Sequence, residues 1–219
     1  MFLCDRNDPA FDAIALLLPP AQYPSIFDPV QLDAPELLAV GDWNDDGHLD
    51  LVTVASEMNL TQDLVYLPGD GTGRFGSLRS IDNEPYQFLD IAPADLNGDG
   101  KTDLVVSQST VYSVYLGSGG GVVVLSDYPA GMPFADVGSI AIGDVDGDGQ
   151  LDVSGVDRKF GQLSIARGTG TGALEPPMLC ALDGQPTDWG DVAVGRFAGG
   201  KGGVALASVT NHVTVFLRK

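Results

Sequence analysis

Short apolar runs alternate along this chain with polar stretches rich in glycine and aspartate. No window sustains the 3.6-residue period of an amphipathic helix, so the pattern predicts short strands joined by tight turns. The runs also repeat. Segments 39–54, 92–107 and 141–156 align without gaps, each passing from an apolar run through an acidic loop into a second apolar run. Segment 193–208 keeps the frame but has lost its acids and about one residue. The loops begin at positions 42, 95, 144 and 196, so successive repeats are offset by 53, 49 and 52 residues.

A further apolar run follows in each period, at 64–67, 111–116, 163–166 and 213–217. The first three lead into glycine-rich turns, 69–75, 117–121 and 168–172, and then into another short extended segment. One period therefore reads as four strands: into the acidic loop, out of it, a third and an outer one. Four antiparallel strands in about fifty residues make a propeller blade. A lone blade cannot bury both faces, so neighbouring blades must stack on it. A parallel β-helix is the rival fold, but its coils are shorter and need no three hairpins per period. The expected class is all-β, a β-propeller of four-stranded blades in four repeats. Residues 1–25 read as an N-terminal arm and 26–219 as the propeller domain. Segment 26–33 falls where an outer strand would precede the first loop, while the fourth period has three strands and no outer one. The pattern allows a ring closed by that segment or a part of a larger propeller.

Each intact loop fits D-x-[DN]-x-D-G-x-x-D. Loop one offers Asp42, Asn44, Asp46 and Asp50; loop two Asp95, Asn97, Asp99 and Asp103; loop three Asp144, Asp146, Asp148 and Asp152. Alternate positions aim three side chains into one concave turn, and glycine at position six (Gly47, Gly100, Gly149) allows the reversal. The main-chain carbonyls of His48, Lys101 and Gln150 at position seven are expected as further ligands. Hard oxygen donors without histidine or thiolate select calcium or magnesium over zinc or copper. The loops are not EF-hands: position twelve is Thr53, Val106 or Gly155 rather than glutamate. A solvated Asp-Gly turn would explain one such loop. Three in phase argue for metal, because carboxylates ~4 Å apart repel by roughly 4 kcal/mol per pair at an effective dielectric of 20. About three Ca²⁺ ions are expected, and none at 196–203.

The formal net charge of −19 opposes binding to nucleic acid or to an anionic membrane surface. No apolar run approaches the ~20 residues of a membrane span, which argues against insertion. The first twenty residues carry one short apolar run, 14–18, behind Asp5, Asp8 and Asp12, unlike a secretory leader. The two cysteines, Cys4 and Cys180, admit at most one disulfide.

The loops, with the Gly-Asp-Gly-Thr-Gly-Arg-Phe turn at 69–75, resemble FG-GAP or VCBS-type repeats, as in integrin α-chain propellers and many bacterial surface proteins. The resemblance spans about residues 26–219. It implies an extracellular or cell-surface, calcium-stabilised propeller used in adhesion or ligand binding. Propellers of this kind commonly have seven blades, whereas four periods are present.

Other motifs carry less. Gly71–Gly76 matches G-x-G-x-x-G and 195–201 matches G-x-x-x-x-G-K, but no helix is expected after either, so both read as propeller loops. His48 and His212 are the only histidines, and with 11 Lys plus Arg a catalytic cleft is hard to assemble. Trp43 and Trp189 are expected to cover blade edges, with sugar stacking as the alternative. The sequence thus points to a non-catalytic binding or adhesion module with a protein or glycan partner. A lectin, or the accessory or catalytic propeller of a polysaccharide lyase or hydrolase, is the alternative.

Overall fold

The computed structural model describes residues 37–217 except 57–61, 85–86, 134, 183–188, 198–199 and 209–212. The expected arm, segment 26–33, Cys4 and His212 lie outside the described residues. Among the described residues fifteen strands form four antiparallel sheets, one for each period of the sequence. Blade one runs β1 (Leu38–Gly41), β2 (Asp50–Ser56), β3 (Gln62–Leu67) and β4 (Arg79–Glu84) in spatial order. Blade two runs β5 (Asp90–Ala94), β6 (Asp103–Gln108), β7 (Val111–Gly117) and β8 (Val122–Pro129). Blade three runs β9 (Val137–Gly143), β10 (Asp152–Asp157), β11 (Gln162–Ala166) and β12 (Met178–Ala181). Blade four has three described strands, β13 (Trp189–Arg196), β14 (Gly202–Ser208) and β15 (Val213–Leu217). Each acidic loop joins the first strand of its blade to the second.

The strands are apolar on both faces because each blade is sandwiched. Strand alternation sends one set of side chains to the preceding blade and the other to the following one. Between blades one and two, Val52, Leu64 and Tyr66 meet Ile91, Leu104, Val106 and Tyr115. Between two and three, Val105, Tyr112 and Val114 meet Val137, Ile140 and Val153. Between three and four, Val156, Leu163 and Ile165 meet Val192, Val204 and Leu206. Trp43 and Trp189 are buried in the first and third of these layers, so neither ring is open for stacking on a sugar.

Polar contacts fix the rotation between blades. The Tyr115 hydroxyl donates to Asp82 Oδ2 across the first junction (2.7 Å), the Ile140 N–H to Asp90 Oδ2 across the second (2.8 Å), and the Ser139 hydroxyl to Asp191 Oδ1 across the third (2.7 Å). Among the described residues no core layer joins blade four to blade one.

Candidate metal-binding loops

The three intact loops share one scaffold. Position six takes the left-handed backbone, φ +83° at Gly47, +86° at Gly100 and +90° at Gly149. Position four does too, at Asp45 (φ 59°), Gly98 (70°) and Gly147 (76°). Two reversals close together curl the chain so that its amides face inward. In loop one the Asp42 carboxylate accepts from the N–H groups of Asp46 (3.2 Å) and Gly47 (2.9 Å). Asp95 does the same in loop two with Asp99 (3.1 Å) and Gly100 (2.9 Å). The position-five carboxylate accepts from the position-seven N–H in all three: Asp46 from His48, Asp99 from Lys101, Asp148 from Gln150. The Lys101 amide is the main reason the Asp99 pKa is lowered.

Position nine does something the sequence did not announce. Asp50, Asp103 and Asp152 have no exposed surface, although they open a strand beside a solvated loop. Each carboxylate bridges two main-chain N–H groups far apart in the chain, and Asp152 Oδ2 also accepts from the Asp146 N–H (3.4 Å). Oδ2 accepts from position two (Trp43 at 3.1 Å, Leu96 at 2.8 Å, Val145 at 2.9 Å). Oδ1 accepts from a glycine at or just past the end of the third strand (Gly69 at 2.7 Å, Gly117 at 2.8 Å, Gly168 at 3.0 Å). A Cβ on those glycines would lie 2.0, 2.3 and 2.0 Å from the carbonyl oxygens of Leu49, Thr102 and Leu151, so only glycine fits. The aspartate thus clips the loop to the far end of its blade. Burial raises the Asp103 and Asp152 pKa values, and the amide bonds offset part of that. In blade one the Tyr66 hydroxyl also donates to Asp50, and burial with that carboxylate pushes its pKa up to about 12.

Loop three gathers its acids most closely. One carboxylate oxygen from each of Asp144, Asp146 and Asp152 lies within 4.8 Å of the others, the only such trio among the described residues. Oxygens on opposite sides of a calcium ion are about 4.6–5.2 Å apart, twice the ligand distance, so this spacing fits a calcium-sized cation. Loops one and two carry Asn44 and Asn97 at the corresponding third position, with an amide oxygen in place of a carboxylate. Loop three carries two neighbouring guanidinium groups instead. Arg167 Nη1 lies 3.2 Å from Asp146 Oδ2, and Arg196 Nη2 lies 3.8 Å from Asp144 Oδ2. Arg196 stands at the first position of loop four, where the other loops have aspartate. Loop four turns instead on a Phe197 N–H bond to the Lys201 carbonyl (2.9 Å), and Gly203 pairs with Gly195 where position nine would be.

Beside loop one a cleft of about 370 Å³ opens between the loop and the turn after β3. It is lined by His48, Leu49, Arg74, Phe75 and the backbone of Gly47, Gly69, Gly71 and Gly73.

Antiparallel blades in register, each with an aspartate-rich loop between its first two strands, define a propeller-type repeat protein. The chain belongs to the FG-GAP-like repeat family, whose sequence profile matches residues 42–106 and 95–154. No curated protein matches it. Its fold is similar to that of an Agrocybe aegerita lectin described for specific recognition of non-reducing terminal N-acetylglucosamine. The two agree with a TM-score of 0.54 at 21% sequence identity, over 76% of this chain and 45% of that one. The chain therefore corresponds to less than half the length of that lectin.

Proposed function

We propose that this chain is a calcium-stabilised, non-catalytic binding module of an exported or cell-surface protein, with calcium held by the three acidic loops. The observation that carries the reading is the Asp144, Asp146 and Asp152 trio, set in a loop frame that recurs in blades one and two. Asp42, Asn44, Asp46 and Asp50 would serve loop one, and Asp95, Asn97, Asp99 and Asp103 loop two. Asp148 would complete loop three. The carbonyls of His48, Lys101 and Gln150 are the seventh-position donors. A carboxylate oxygen that accepts one amide keeps a second lone pair for a cation, so the position-nine clip and metal binding are compatible. Membership of the FG-GAP-like family supports a role in binding rather than catalysis.

The ligand is a protein or a glycan. The cleft beside loop one favours the glycan, because Phe75 offers an apolar wall while Arg74 and His48 offer donors to hydroxyl or carboxylate groups. The lectin of similar fold supports the same choice. Calorimetric titration with calcium chloride is expected to find about three sites, and each raises stability by roughly 2.7 kcal/mol at a hundredfold excess over its dissociation constant. Equal melting temperatures with calcium and with chelator would refute the metal reading. A glycan array probed with the calcium-loaded protein, then with Arg74→Ala, tests the ligand: loss of a specific signal in the variant supports the cleft, and retention rejects it.

A further inference from the structure

Blades one and three build the same turn after their third strands but furnish it differently. Gly69 bridges to Phe75 in one turn and Gly168 to Leu174 in the other. The Asp70 N–H donates to the Arg74 carbonyl and the Thr169 N–H to the Ala173 carbonyl, both at 3.0 Å. Two glycines in each turn take the left-handed backbone, Gly71 and Gly73 (φ 73° and 87°) and Gly170 and Gly172 (72° and 84°). The side chain at position seven of the acidic loop lies over the first of them, His48 on Gly71 and Gln150 on Gly170. Blade three makes this frame with Ala173 and Leu174 where blade one has Arg74 and Phe75. The turn therefore has no need of the guanidinium.

Arg74 is exposed and lines the cleft beside loop one; among the described residues it makes no ion pair. The acid of the same turn, Asp70, is taken up by the turn's own donors. Its Oδ1 accepts from the Thr72 N–H (2.8 Å), the Thr72 hydroxyl (2.7 Å) and the Arg74 N–H (3.2 Å). We propose that the cleft takes an acidic glycan, with a sugar carboxylate on the Arg74 guanidinium and the apolar face of the ring against Phe75. This rests on the glycan reading of the cleft given above. The guanidinium fork matches a carboxylate with two parallel N–H bonds, a geometry that a sugar hydroxyl does not offer. The acids of loop one oppose an anion here, and on the proposed reading bound calcium offsets them.

A glycan array holding neutral and carboxylate-bearing members, probed in calcium, tests this. The members bound should carry a carboxylate. In titrations with the strongest of them, esterifying its carboxylate and Arg74→Ala should each weaken binding roughly ten- to a hundredfold, as loss of a charge-assisted hydrogen bond does. Arg74→Ala should keep the circular dichroism of the wild type, because Ala173 already holds that place in blade three. If the members bound are all neutral, or if the affinity for an acidic one survives either change, the inference is overturned while glycan binding itself stands. If no glycan is bound, the inference falls together with the glycan reading.

Discussion

Asp103 shows how one side chain serves both fold and site. It is fully buried, and its two oxygens hold the amides of Leu96 and Gly117. Asp99, four residues earlier, is exposed on the rim of the same loop. Both are expected calcium ligands, but their removal should differ without metal. Asp103→Ala strands two buried N–H groups, each costing about 1–3 kcal/mol. In chelator the variant should lose roughly 2–4 kcal/mol by urea denaturation. Asp99→Ala should leave the denaturation midpoint there nearly unchanged, while abolishing the loop-two step of a calcium titration. Equal losses in chelator would show that position nine is a ligand and not a clip.

At the level of the element, the clip ties a loop to a turn that lies far along the chain. Gly117 makes this possible by its close approach to the Thr102 carbonyl. Gly117→Ala forces the two backbones apart and should cost at the upper end of the ~1–3 kcal/mol typical of overpacking, read from the denaturation midpoint. An unchanged midpoint would mean that the turn yields freely. The strands themselves were legible: the third-strand runs at 64–67, 111–116, 163–166 and 213–217 all lie within observed strands β3, β7, β11 and β15. The acidic loops were legible because the spacing of their aspartates and glycines is local. The clip was not, because its glycine follows the aspartate by 19, 14 and 16 residues in successive blades, and such uneven spacing hides a repeat. The packing role expected of Trp43 is the one it has, buried between blades one and two. Pairings such as Ile140 with Asp90 depend on the rotation between blades, which no local pattern encodes.

For the whole molecule, the proposed calcium binding and pH are expected to act against each other. Burial raises the pKa values of Asp90, Asp103 and Asp152 above the ordinary 3.8. The native state thus binds more protons than the unfolded chain in the window just above pH 3.8, and stability falls as pH rises through it. Asp70 and Asp99 are shifted the other way, by the Thr72 hydroxyl and the Lys101 amide respectively, so their contribution is lost as pH falls below 3.8. Self-repulsion among the acids adds to the first trend. In chelator, the melting temperature should therefore rise as pH is lowered from 7 toward about 4.5, then drop below 3.8. In millimolar calcium the first trend should reverse, since the ligands must be ionised to hold the ion. Parallel profiles with and without calcium would contradict both the metal and the burial argument.

The arginine at the head of loop four has a consequence for how the blades respond to calcium. Where its neighbours hold an acid, blade four extends Arg196 toward Asp144 of blade three, so loop three has a counterion built into the fold. On the proposed reading, calcium entering loop one meets no ion-paired cation among the described residues, and at loop two it meets only Lys101, 3.6 Å from Asp99 Oδ2. Calcium entering loop three is an exchange, in which one positive charge displaces another and a tie between blades three and four is given up. The expected gain from calcium is therefore uneven among the blades, largest at blade one and partly cancelled at blade three. Arg196→Ala removes one of the two guanidinium groups and leaves Arg167 on Asp146; calorimetry should then show tighter calcium binding at loop three with loops one and two unaltered, and an unchanged affinity would mean that Arg196 does not compete.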